Sequence, residues 1–138
     1  GVTISGTIPP IISIQVIKPQ EKVGFGNIQY SDLPVTLTTS DEIMVRANVN
    51  WLLYIKANQD YLKSKTGNDF LTNHMTARVV EPVVPSPIVA TVSKEPAKLF
   101  QGAKGEHNLE IEFSQLFAEE DKPGSYSTIV LYQGTPAD

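Results

Sequence analysis

No cysteine occurs anywhere in the chain, which excludes disulfides, thiol catalysis and cysteine-based zinc sites. No apolar run approaches the roughly 18 residues that a helix needs to span a bilayer. Basic clusters are missing as well: 11 lysines and arginines are scattered singly among 15 acidic residues, for a net charge of −4. Nucleic acid demands a concentrated basic footprint and is therefore left out as a partner. There is no Asn-X-Ser/Thr sequon and no visible signal peptide, and Gly1 in place of Met is the start expected of a mature or trimmed chain.

Catalytic inventory is equally thin. Only two histidines are present, His74 and His107, far apart and without a carboxylate or serine pattern around either. Gly24-Phe25-Gly26 has neither the strand–glycine–helix context nor the Lys-Ser/Thr of a phosphate loop. Glu110 and Glu112 fall on one face of an expected strand, about 7 Å apart, a spacing of interest for glycoside cleavage. Leu109, Ile111 and Phe113 on the other face already explain that alternation as a half-solvated strand. Glu119-Glu120-Asp121 precedes a Pro-Gly turn and lacks the Asp-x-Asp-x-Asp-Gly pattern of a calcium loop. The chain is read as non-enzymatic, with no metal and no cofactor.

What is present is a series of short β-branched runs parted by turn residues. Val2–Ile8 alternates apolar and polar residues and is broken by Pro9-Pro10, neither of which can donate to a ladder. Ile11–Ile17 starts a second run, stopped at Lys18-Pro19, and Val23–Ile28 reads as a bulged or edge strand. Val35–Thr39 is a strand ending in a turn at Ser40-Asp41. Ile43–Val49 and Trp51–Ala57 alternate strongly and are read as one long strand bent through Asn50, because no glycine supplies the positive φ of a two-residue hairpin. Further strands are expected at Thr76–Glu81, Ile88–Val92, Leu109–Phe113 and Tyr126–Tyr132. Single helical turns are expected near Asp60–Lys65 and Leu116–Lys122, and Glu81–Pro87 must be extended. With 138 residues this is one domain, residues 1–138. Nine or ten strands predict an all-β, two-sheet, immunoglobulin-like sandwich, mostly antiparallel, with at most one or two helical turns.

The aromatics Trp51, Tyr54, Tyr30, Tyr61, Tyr126 and Tyr132 are the candidate stacking platform for sugar rings. Trp51 shares a strand face with Leu53 and Ile55, which predicts a core position. Tyr54 lies on the opposite face and is the candidate exposed platform for a sugar ring.

Ala47–Ala57, with Trp51-Leu52-Leu53 inside an alternating strand, resembles the first half of a bacterial WxL-type surface domain. Lys122–Tyr132 is similar to the closing strand of those domains, although Leu131-Tyr132-Gln133 stands where they carry a second Trp-x-Leu. The opening, with Thr7–Ile11 and Phe25-Gly26, is similar to secreted sandwiches of the spore-coat-U and pilin kinds. The resemblance implies an extracellular, cell-surface module, with cell-wall polysaccharide or peptidoglycan, or a neighbouring protein, as partner.

A non-enzymatic surface module, structural or binding, is thus the leading expectation. The alternative is a fibre or pilus subunit that donates Val2–Ile8, with Val2, Ile4 and Ile8 as its apolar teeth, to a neighbour's sheet by β-augmentation in a homo-oligomer. The default against that alternative is that Val2–Ile8 is simply the domain's own first strand. A third reading is a carbohydrate-binding module.

Overall fold

The computed structural model describes residues 1–17 and 24–137. Ten strands make up nearly all of its regular structure: β1 (Ile12–Val16), β2 (Val35–Ala47), β3 (Trp51–Ala57), β4 (Lys63–Ser64), β5 (Met75–Glu81), β6 (Ala90–Val92), β7 (Ala97–Gly102), β8 (Gly105–Phe117), β9 (Tyr126–Ser127) and β10 (Val130–Pro136). A 3₁₀ turn at Tyr30–Asp32 is the one helical element among the described residues. Five strands form a sheet in the order β1-β2-β8-β5-β6, three form a second in the order β10-β3-β7, and β4 pairs β9 apart from both. Every pairing is antiparallel. The protein is an all-β sandwich.

The core lies between the two large sheets because the alternation of each strand turns one apolar face inward. Ile43 and Val45 of β2, Leu109, Ile111 and Phe113 of β8, and Ala77 and Val79 of β5 meet Trp51, Leu53 and Ile55 of β3 and Leu99 of β7. Burying side chains of this size contributes roughly 1.5–3 kcal/mol each before the entropy of ordering them is subtracted. The outer face of the larger sheet is polar, with Arg78 bonded to Glu112 across β5 and β8 at 3.0 Å. Arg46 reaches Glu106 across β2 and β8 at 2.6 Å.

Several local expectations change. β2 runs without interruption through Ser40 and Asp41, where a turn was expected, because β8 offers an unbroken ladder of equal length from Val35↔Phe117 to Ala47↔Gly105. The bent strand through Asn50 is two strands in different sheets: Asn48–Asn50 carries the chain from β2 across to β3, which do not pair with each other. Leu116 and Phe117 belong to β8 instead of a helical turn, and the expected turn at 60–65 holds β4. Tyr126–Tyr132 divides into β9 and the start of β10. Lys18-Pro19 and Val23 lie outside the described residues, and Gly24–Ile28 carries no strand.

The largest correction concerns the amino-terminal run. Val2–Ile8 is not the first strand of this sandwich: residues 1–11 join no sheet, and Val2, Ile4 and Ile8 are 88%, 91% and 83% exposed. Pro9-Pro10 cuts the run off from β1, which takes the edge position beside β2 instead.

Candidate functional site: an open sheet edge and a free strand

Trp51, Leu53 and Ile55 of β3 are fully buried on a strand flanked by β10 and β7, and Ala57 beyond the β7 ladder is nearly so. β10 has a partner on one side only: its ladder with β3 runs from Val130↔Ala57 to Pro136↔Trp51, and no described strand pairs its outer edge. A row of backbone N–H and C=O groups along such an edge is a template for another strand.

The core beneath that edge is incompletely covered. The inward side chains of β10, Val130 and Tyr132, are only half-buried where their neighbours on β3 are sealed. The same holds for the facing part of β2. β1 pairs only Ile43–Ala47, and beyond it the inward residues Val35, Leu37, Thr39 and Asp41 are half-buried. Tyr132 donates to Asp41 Oδ2 at 2.9 Å, which places the two under-covered strands side by side along one flank. Phe25 rests edge-on against Phe117 at 5.5 Å near the far end of this flank. At the other end β1 closes it: a Cβ on Gly134 would sit 2.5 Å from Ile12 Cγ2.

The electrostatics of the flank are those of a shielded pair. Burial, and after it the Asp41 carboxylate, push the Tyr132 phenol far above its ordinary range. The hydroxyl is therefore a permanent donor, and Asp41, an inward-pointing acid on a strand, has its partner.

The free strand complements this flank in kind. Val2–Ile8 alternates Val2, Ile4, Gly6 and Ile8 with Thr3, Ser5 and Thr7, carries no charged side chain, and matches β10 in length at seven residues each. Its base is fixed. Asn48 Oδ1 accepts from Ile11 N–H at 2.7 Å, Asn48 Nδ2 donates to Pro9 O at 3.0 Å, and Asn48 N–H donates to Ile11 O at 3.2 Å. Asn50 organises the same end of the sandwich, accepting from Lys104 N–H on its side chain and from Ala137 N–H on its backbone.

The other candidates fall elsewhere. Trp51 is fully buried, as its shared face with Leu53 and Ile55 predicts; its indole donates to Ala103 O at 2.9 Å. Tyr54 is half-buried on the outer face of the smaller sheet, between Gln133 and Lys98. The structure does not bring Tyr54 and Trp51 together. His74 stacks on Tyr61 and bonds Asp60 O, and His107 bonds Ala103 O beside Trp51. Asp121 organises a turn, accepting from Thr72 and from Ala118 N–H. No cluster of His, Asp or Glu among the described residues is arranged to hold a metal. Asn48 and Asp41 are not read as functional residues in the sequence, and Tyr132 is read only as one of the aromatics, without its tie to Asp41; the one available signal is Gly134, a glycine inside a strand, which marks a close approach by another segment.

Compared by sequence, the chain matches no protein-family model and no curated protein. Compared by structure, it is similar to a chaperone-usher pilus whose structure addresses the molecular basis of rod uncoiling. That likeness has a TM-score of 0.56 and 13% identity over 99% of this chain and 94% of that one. A weaker likeness, TM-score 0.46 and 12% identity, is to the CsuC-CsuE chaperone-tip adhesion subunit pre-assembly complex from archaic chaperone-usher Csu pili of Acinetobacter baumannii. It covers 93% of this chain and 40% of that one. At these identities the likeness is one of fold.

Proposed function

We propose that the chain is a structural subunit of an extracellular fibre, in which Val2–Ile8 of one copy pairs along the open edge of β10 in the next. One observation carries this reading: an alternating apolar run stands free of its own sandwich while the β10 edge, unpaired among the described strands, overlies a half-covered core at Val130 and Tyr132, short of the end that β1 closes at Gly134. Insertion would satisfy the backbone of both strands and seat Val2, Ile4 and Ile8 among Val35, Leu37 and Val130, the mode of strand addition. At roughly 25 cal/mol per Å² of apolar surface, burying three such side chains gives a large driving force. The fold shared with a chaperone-usher pilus protein supports the reading, and on this reading the assembled fibre stands at the cell surface. The wall-polymer reading rests on the Trp-x-Leu resemblance; Trp51 is enclosed, as its shared face with Leu53 and Ile55 predicts, and Tyr54, half-buried on the outer face, is the residue that a sugar-binding reading would use.

Deleting residues 1–8 is expected to leave a folded monomer that no longer assembles. A synthetic Val2–Ile8 peptide added to that truncated chain is expected to bind and raise its melting temperature. A truncated chain that still assembles, or that is indifferent to the peptide, refutes strand donation.

A further inference from the structure

A strand tethered so close to an empty edge has two destinations, its own sandwich or another. The tether decides between them. To reach its own β10, the arm must reverse between Ile8 and Ile12, because β1 already runs away from that end along β2. The residues available for the reversal are Pro9, Pro10 and Ile11. Proline fixes its own φ and restricts the residue before it to extended conformations, so Ile8-Pro9-Pro10 is a stiff, straight segment. Ile11 and Pro9 are in turn held by Asn48, whose side chain grips the backbone on both sides of Pro10. Asn48 sits in the crossing between the two sheets, so the grip is referred to the body of the sandwich.

We infer that Asn48 and Pro9-Pro10 form a joint that aims the arm away from its own groove, so that the acceptor is a second copy of this chain. This rests on the strand-donation reading and adds what that reading leaves open, namely why the molecule does not satisfy itself. It also means that the angle between successive copies is set at this joint, where the arm is rigid, and not along the paired strands.

Loosening the joint tests the inference. An arm free to reverse meets its own edge at an effective concentration on the order of mM, about a thousandfold above a chain at about 1 µM. Asn48→Ala and, separately, Pro9→Gly with Pro10→Gly are compared with the full chain by size-exclusion chromatography and limited proteolysis of residues 1–8. The variants are expected to give at least about tenfold less polymer and a monomer whose arm resists protease. Pro9 and Pro10 are exposed, so the glycine pair keeps the test alive where Asn48→Ala fails to fold. Unchanged polymer yield, with no protected monomer in the folded variant, overturns the joint while leaving strand donation standing. A wild-type chain that never assembles, together with a truncated chain that ignores the Val2–Ile8 peptide, removes both.

Discussion

The Tyr132 hydroxyl donates to Asp41 Oδ2 at 2.9 Å and so ties the edge strand of the smaller sheet to the inner face of the larger one. It is a polar tie on a flank where the apolar cover is incomplete. A hydrogen bond to a carboxylate contributes more than a neutral one, and removing the donor leaves a half-buried charge short of a partner.

Tyr132→Phe is therefore expected to cost about 1–3 kcal/mol at pH 7, read as a lower urea midpoint. Its pH dependence carries a sign. The folded phenol holds its proton above the ordinary value of about 10, pushed there by burial and by Asp41. Above about pH 10 the unfolded chain releases a proton that the folded chain keeps, so the wild type loses stability as pH rises from there. The phenylalanine variant lacks that component. The gap between the two proteins should be constant from pH 7 to 9 and shrink towards pH 11; a gap that widens contradicts the assignment.

Gly102→Ala should be among the most damaging single substitutions. A Cβ there would lie 2.1 Å from Trp51 Cζ2 and 2.3 Å from Cε2, and the indole has no room to retreat because it is fully buried and bonded to Ala103 O. Overpacking of this kind costs about 1–3 kcal/mol, occasionally more. Thermal melting checks it, and a variant that melts within a degree of wild type would show that Trp51 is held less tightly than its contacts imply.

Ile4→Asp separates folding from assembly. Ile4 is 91% exposed in the single chain, so monomer stability should change by no more than about 0.5 kcal/mol. On the strand-donation reading polymer should be lost, because the carboxylate would be driven into the half-covered core of the acceptor without a partner. A cooperative loss of monomer stability would instead place Ile4 in its own sandwich.

Arg78 and Glu112 offer a control on the opposite face. Their 3.0 Å pair joins β5 to β8 across the outside of the larger sheet, with the arginine side chain 47% exposed. A double-mutant cycle is expected to return about 0.2–1 kcal/mol, shrinking with added salt, and no effect on assembly. A coupling several times larger would mean that this face is covered in the assembled protein.

Much of the fold was legible because period-two alternation is a direct record of which face is buried. Ile43 and Val45, then Trp51, Leu53 and Ile55, then Leu109, Ile111 and Phe113 all read correctly as inward, and all are sealed. The reading broke where an inward face is polar. Asp41 faces the flank between the sheets, yet in sequence Ser40-Asp41 resembles a turn, because a paired acid and a solvated acid look the same in one dimension. Asn48–Asn50 failed for a related reason: alternation reports burial, and it does not reveal when a chain passes from one sheet to the other. The amino-terminal strand shows the converse limit. Val2–Ile8 has the right pattern for a strand, and no pattern states whose sheet that strand belongs to. Asn48 was invisible altogether, since its role depends on the backbone of residues that only the fold brings near it.

The arm and the open edge of β10 belong to the same chain but to different parts of its surface. A head-to-tail contact between unlike surfaces, repeated at an angle that closes neither a swapped pair nor a ring, propagates in one direction. Growth on the proposed reading is thus polar, with a bare socket at one terminus and a bare plug at the other. Its length is a matter of arithmetic between ordinary copies and copies without a plug. A small proportion of chain lacking residues 1–8, mixed with the full-length form, would act as a terminator, and mean filament length would fall in inverse proportion to its share.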